Sequence, residues 1–138
     1  MADITERTAD QLMDELNKAF LAGLEIGAAE QIISLYAEDG VYLPADHPPL
    51  QGIEAIGDYF RNSRAQRKKK EPTRLRLLPG QTITAGNLVL QWGTYQVFRG
   101  PVYEPELIAT GSQVLIARKQ PDGSLELLWD IDNIDSTC

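Results

Sequence analysis

Cysteine is nearly missing from this chain: Cys138, the last of its 138 residues, is the only one. A single terminal thiol excludes an internal disulfide framework and a cysteine-built metal site. Histidine is equally scarce, with His47 alone, and one histidine beside one acid falls short of a metal centre, so no metal is expected. No window approaches the roughly 18 consecutive apolar residues of a membrane span, and Met1 to Glu6 has neither a basic n-region nor an apolar h-region. The expectation is a soluble cytoplasmic protein with no membrane partner. Basic residues are outnumbered, thirteen to twenty, and a net charge of −7 removes the footprint that phosphate backbones require. Nucleic acid is therefore not an expected partner.

What is present fits one compact domain over residues 1–138: 43% of the residues are hydrophobic, and a chain of this length buries about two thirds of its unfolded surface. One local excess stands out. Arg61, Arg64, Arg67, Lys68, Lys69 and Lys70 place six of the thirteen basic residues within ten positions. Cations at a helix end complement its free carbonyls; an anionic ligand or an acidic patch on a partner subunit would use the same charges.

Periodicity then orders the chain. Thr8 with Gln11 three residues on forms a capping-box start, and Leu12, Leu16, Phe20 and Leu24 mark one helical face. Gly27 interrupts it, after which Ala29, Ile32, Ile33 and Tyr36 predict a second helix ending near Asp39-Gly40. Val41 to Leu43 reads as a short strand, and Pro44 to Pro49, with three prolines, as a loop. Ile53, Ile56, Tyr59 and Phe60 give a third amphipathic helix, ending in the basic stretch before Pro72. From Thr73 the pattern alternates, with predicted strands Thr73 to Leu78, Thr82 to Thr84, Leu88 to Phe98, Leu107 to Lys119 and Ser124 to Ile131. Helices followed by hairpin-linked strands predict an α+β fold, a curved, mainly antiparallel sheet with helices on one face.

Leu35-Tyr36-Ala37-Glu38-Asp39, the Gly52-x-x-x-Ile56-x-x-x-Phe60 helix, Gly111 on the strand running to Pro121-Asp122-Gly123, and Trp129-Asp130-Ile131-Asp132-Asn133 occur in that order over nearly the whole chain. Together they resemble the SnoaL-like, ketosteroid-isomerase-like branch of the nuclear-transport-factor-2-like superfamily. The resemblance implies a cone-shaped α+β barrel, in which three N-terminal helices and the sheet enclose an apolar pocket, and a homodimer formed through the sheet. It implies a small apolar ligand and no cofactor. It does not imply one reaction, because such a fold hosts many chemistries.

Set against the ketosteroid isomerases, the chain departs from the expected machinery. Those enzymes use a carboxylate base and an oxyanion hole of tyrosine and neutral aspartic acid. Here the base position falls at Pro44, the oxyanion tyrosine at Phe20, a supporting tyrosine at Phe60 and the neutral acid at Leu115, and Tyr36 alone keeps its polar character. The resemblance thus argues against standard steroid-isomerase chemistry. The arginine–aspartate spacing of limonene-type epoxide hydrolases and the several histidines of scytalone-dehydratase-like sites are also missing.

The strongest polar candidates lie on the last strand. Strict alternation puts Leu127, Trp129 and Ile131 on one face and Leu128, Asp130 and Asp132 on the other, which the resemblance makes the concave one. Two desolvated carboxylates two residues apart raise each other's pKa and share a proton, a usable acid and base. Pairing of Asp130 with Arg74 or Arg76 is the structural alternative. Asp46 and His47 fall in the loop at the predicted pocket mouth, where His47 brings a pKa near neutrality, though a Pro-rich loop also suits solvent. Phe20, Tyr36, Tyr42, Tyr59, Phe60, Gln113, Leu115 and Leu128 are the predicted ligand-binding residues. Three functions stay open: an isomerase, cyclase or lyase acting on an apolar carbonyl compound, a non-catalytic ligand binder, and a dimeric association module.

Overall fold

The computed structural model describes residues 7–67 and 73–137. Helix α1, Ala9–Ile26, starts at the predicted capping box: Thr8 Oγ1 accepts from the Gln11 N–H at 3.1 Å, and Gln11 Oε1 accepts from the Thr8 N–H at 2.8 Å. Gly27 ends it in the left-handed conformation, φ 67°, which glycine adopts without a side-chain clash. Leu12, Met13, Leu16 and Asn17 face inward. Helix α2, Ala29–Ile33, is a single short turn-and-a-half that adds Ala29, Ile32 and Ile33 to the core.

At Tyr36 the structure departs from the predicted helix. Strand β1, Tyr36–Leu43, begins there and runs parallel to the last strand, with the Leu127 N–H bonded to the Leu35 carbonyl at 2.8 Å. Four apolar residues at helical spacing are outweighed because a five-residue helix holds few internal hydrogen bonds, whereas a strand partner satisfies the whole backbone. Gly40 is no helix cap. It lies in an irregular stretch between Tyr36 and Val41, where a Cβ would stand 2.9 Å from the Ala37 carbonyl and 3.3 Å from that of Leu127.

The Pro-rich loop joins β1 to the short β2, Leu50–Gln51, and helix α3, Ile53–Arg67, follows. The third helix therefore comes after the first two strands, not before all of them. Arg61 on α3 bonds Glu30 of α2 at 2.6 Å, tying the two helices together; side chains 64–70 of the basic stretch lie outside the described ones. The remaining strands are β3, Thr73–Ala85, β4, Leu88–Arg99, β5, Glu106–Lys119, and β6, Leu125–Thr137. Pro79-Gly80, predicted to break the chain into two strands, instead forms a bulge within β3. An edge strand tolerates proline because one side of its backbone has no partner.

The sheet order is β2-β1-β6-β5-β4-β3, open at both edges, with every neighbouring pair antiparallel except β1 and β6. The three helices cover its inner face, where Val89, Leu115, Ala117, Leu125 and Leu127 meet Met13, Ile32 and Ile56. Alternation along β6 is interrupted. Ala117 pairs with Leu127 but Ile116 pairs with Trp129, so Leu128 is the extra residue of a bulge. Leu127 and Asp130 consequently face inward together, correcting the strict alternation read from the sequence, and Leu128 stays outside the core cluster.

A second device shapes the far end of the inner face. Tyr95 on β4 lies across Gly111 of β5, and its hydroxyl donates to the Asn133 carbonyl of β6 at 3.1 Å. A Cβ at Gly111 would collide with the Tyr95 ring and the Asn133 carbonyl oxygen. Gly111→Ala should therefore cost about 1–3 kcal/mol by overpacking, against about 1 kcal/mol for Tyr95→Phe, which loses only a hydrogen bond. Urea melts check the order; a Gly111→Ala penalty no larger than that of Tyr95→Phe would contradict the packing described.

Candidate functional site

Parallel pairing sets β1 against β6 with Tyr42 beside Asp130, and this register brings two tyrosines to two carboxyl groups. The Tyr36 hydroxyl donates to Asp130 Oδ2 at 2.6 Å, and the Tyr42 hydroxyl donates to Asp132 Oδ2 at 3.0 Å. Asp130 is 4% exposed and Asp132 half-buried. Neither carboxyl forms a salt bridge among the described residues. The alternative pairing with arginine is not realised, since Arg74 donates to the Gly100 and Pro101 carbonyls instead.

Burial without a cation disfavours the charged carboxylate, because nothing replaces the water it loses. Asp130 is held well above the usual carboxylate range, first by burial and then by the charge of Asp132, with the Tyr36 hydrogen bond opposing both. Asp132 is raised by burial too, but hydrogen bonds from Asp130 and Tyr42 pull it back. Asp130 Oδ1 has no N–H or O–H donor within the described residues. A buried carboxyl oxygen without a donor is best satisfied when its carboxyl keeps the proton. The tyrosines carry no part of this charge: burial and then the neighbouring aspartates push Tyr36 and Tyr42 upward, so both remain hydroxyl donors. Tyr95 is pushed up to about 12 by burial and then by Asp132.

An aromatic cluster surrounds the pair. Tyr42 stacks on Phe60 at 5.5 Å between ring centres, Tyr36 tilts onto Phe60 at 5.7 Å, and Phe20 meets Phe60 edge-on at 6.3 Å. Tyr59 packs on Tyr42 at 5.5 Å and carries His47 on its outer side at 5.3 Å. His47 is exposed, and its Nδ1 donates to the Pro48 carbonyl at 2.7 Å. The structure thus gathers Phe20, Tyr36, Tyr42, Tyr59, Phe60 and Leu115 around the carboxyl pair. His47 stays on the rim, with no hydrogen bond to either aspartate. Asp46 beside it is exposed, with φ 58°. Gln113 faces inward as the cross-strand neighbour of Asp132, and Leu128 is set apart by the bulge.

The resemblance implied an apolar pocket enclosed by the helices and the sheet, and next to the carboxyls the structure places buried side chains. Tyr36, Tyr42, Phe60 and Leu115 are each buried to 7% exposure or less and fill the space next to the carboxyls. The two cavities described lie elsewhere, about 520 Å³ beside Glu38, Asp39, Arg118 and Glu126 and about 300 Å³ beside Arg74, Leu75, Arg76, Phe98 and Pro105. No group of three or more His, Cys, Asp or Glu side chains able to hold a metal occurs among the described residues.

One polar element escaped the sequence reading. Asn17 on α1 donates to Gln91 Oε1 at 3.0 Å, and Gln91 Nε2 donates to Thr82 Oγ1 at 3.0 Å, all on the inner side of the sheet. Asn17 four residues after Met13, on the apolar side of α1, was the available signal, since a buried amide requires partners.

These features define a class by fold. The chain has the α+β cone fold of NTF2-like proteins. An NTF2-like protein with a cystatin-like fold from Novosphingobium aromaticivorans superimposes with a TM-score of 0.79 at 17% identity, over 93% of this chain and 82% of that one. A ketosteroid isomerase-like protein from Erwinia carotovora atroseptica gives 0.72 at 12% identity, over 91% and 95%. A protein from Catenulispora acidiphila, crystallised in complex with S-DNPA, gives 0.71 at 16% identity, over 89% and 90%. No protein-family model matches the sequence, and no curated protein does. At these identities the likeness concerns the fold. No helix among the described residues is long and apolar enough to cross a membrane.

The carboxyl pair predicts how stability depends on pH. A group whose pKa is raised on folding contributes stability that is complete below its unfolded value and is lost as pH rises through the folded one. Asp130, raised from 3.8, should make the wild-type protein lose stability above about pH 4, by up to about 1.4 kcal/mol per pH unit more steeply than Asp130→Asn. Urea melts from pH 4 to 8 measure the difference in slope. Parallel curves for the two proteins would mean that Asp130 does not hold a proton.

Proposed function

We propose that this protein binds a small apolar carbonyl compound in the cone and moves a proton on it, with Asp132 as the acid–base group. The observation that carries this reading is the pair of carboxyl groups, one buried and one half-buried, held by two tyrosine hydroxyls with no cation among the described residues. Packing alone does not favour two acids in an apolar interior. A half-buried carboxylate held by one tyrosine and one neutral acid is suited to accept a C–H proton next to a carbonyl and return it elsewhere on the molecule.

Each neighbour then has a part. Asp130, deeper and neutral, donates to Asp132 and sets its basicity. Tyr42 orients the carboxylate. Gln113 stands across from Asp132 on β5, and its side chain makes no hydrogen bond among the described residues, which leaves its amide for a carbonyl oxygen. Tyr59 and His47 are the outermost rings of the cluster. That a protein of the same fold, from Catenulispora acidiphila, is crystallised in complex with S-DNPA supports a small-ligand reading.

Exchange of the α-protons of cyclohexanone and 2-tetralone in D2O, followed by NMR, tests the chemistry whatever the natural substrate is. The wild-type protein should accelerate exchange, and Asp132→Asn should lose at least about a hundredfold of that acceleration with its circular dichroism unchanged. Asp130→Asn, which still donates to Asp132, should stay within about tenfold of wild type. Exchange no faster than in buffer, or undiminished in Asp132→Asn, would remove the proposed base.

The outer face supports a second reading, association. It carries Ile83 at 61% exposure, Trp92 at 50% and Trp129 at 48%, an apolar surface better suited to a second copy of the chain than to water. Homodimerisation through the sheet is compatible with the acid–base site, which lies on the other side.

A further inference from the structure

Strand β3 carries Arg74 and Arg76 two residues apart, so both side chains rise from the same, outer face of the sheet, about 7 Å from one another. Register sets Phe98 opposite Arg74 and Gln96 opposite Arg76 on β4. Neither arginine has an acidic partner among the described residues, although acids outnumber bases by twenty to thirteen in this chain. The acids of the neighbouring β4–β5 hairpin are placed otherwise: Glu106 takes Arg99 at 3.0 Å, and Glu104 is exposed and forms no ion pair among the described residues. Two cations side by side on one strand repel each other, so the fold gains no stability from the arrangement.

A cavity of about 300 Å³ opens beside them, lined by Arg74, Leu75, Arg76, Phe98 and Pro105. It combines apolar walls with a cationic rim. Arg74 is fixed in place: its Nη2 donates to the Gly100 carbonyl at 3.3 Å and to the Pro101 carbonyl at 3.4 Å. These bonds hold the guanidinium against the β4–β5 turn and leave its other N–H groups for a ligand. Gly100, with φ 92°, allows the turn that brings both carbonyls round. The same connection carries Val102 and Tyr103, 77% and 88% exposed, apolar side chains left to solvent before the chain reaches Pro105.

We propose that this cavity binds a small carboxylate carried on an aromatic or branched aliphatic body, the carboxylate held by Arg74 and Arg76 and the body resting on Phe98 and Pro105. A guanidinium fork matches a carboxylate with two parallel hydrogen bonds. A bare phosphate would use the arginines and leave Leu75, Phe98 and Pro105 in water. A neutral apolar compound would use the walls and leave both cations uncompensated. Only a molecule with both parts meets every side chain of the lining, and the volume stands at the small end of ligand sites. The cavity lies across the sheet from Asp130 and Asp132, so it is independent of the acid–base reading. It also occupies a different stretch of β4 from Trp92.

Phenylacetate, its neutral isostere phenylacetamide and inorganic phosphate are the probes, titrated into the full chain and followed by amide NMR. Phenylacetate should shift the amides of residues 74–76 and of the adjoining β4–β5 hairpin, saturating with a Kd below about 10 mM. Phenylacetamide and phosphate should each bind at least about tenfold more weakly, the first for want of the charge and the second for want of the apolar contact. Arg76→Gln, at an exposed position, should weaken phenylacetate by about tenfold. Lys18→Gln, which removes the same charge from α1, should stay within about twofold of wild type. The spectrum of each variant shows directly that it is folded. No saturable shift at about 50 mM phenylacetate, equal binding of the amide or of phosphate, or equal losses in the two variants overturns the site. Shifts confined to inner-face residues such as Gln113 and Asp132 overturn it too, by placing the acid in the cone. None of these results bears on the proton exchange proposed for Asp132.

Discussion

Two carboxyl groups on β6 and two tyrosines on β1 meet inside this cone with no cation near them among the described residues, and the inner architecture is arranged around that fact. Burying an acid without a counter-charge is tolerated only where it keeps its proton or finds donors. Here Tyr36 and Tyr42 are the donors, and the parallel pairing of β1 with β6 is what delivers them. The bulge at Leu128 matters for the same reason: without the extra residue, Leu127 and Asp130 could not both face inward. Phe60 closes the arrangement by stacking on Tyr42 and touching Tyr36, which holds both hydroxyls on target.

The outer face answers to a different constraint. The helices cover only one side of the sheet, so the apolar residues that favour strand formation leave two tryptophans half exposed on the other. Their rows run across four strands, with the Arg118–Glu126 pair beyond one end and Arg76 and Asp135 toward the other. Proton chemistry is proposed for one side of the sheet and association for the other, and the same backbone ladder serves both because successive side chains point to opposite faces.

Much of this was legible in the chain. The capping box at Thr8, the left-handed stop at Gly27, the third helix from Ile53 and the alternating strands after Thr73 all follow from local rules and all appear. Asp130 and Asp132 were also legible as a same-face pair. What misled was Tyr36, whose helical spacing with Ile32 and Ile33 gave way to a strand partner ninety-odd residues away. The arginine alternative for Asp130 failed similarly, because Arg74 lies on the opposite face of the sheet and directs its hydrogen bonds to the Gly100 and Pro101 carbonyls.

Taken alone, the sequence determined which segments bury an apolar face, where the first and third helices lie, and that two acids stand two residues apart near the end of the chain, since these depend on neighbours within a few positions. Only the tertiary structure decided that a bulge at Leu128 brings Leu127 to the same inner face as Asp130, that Tyr36 and Tyr42 meet the acids, and that Phe60 packs beside those tyrosines. Those outcomes depend on register between strands distant in sequence, and a shift of one residue sends each side chain to the other face.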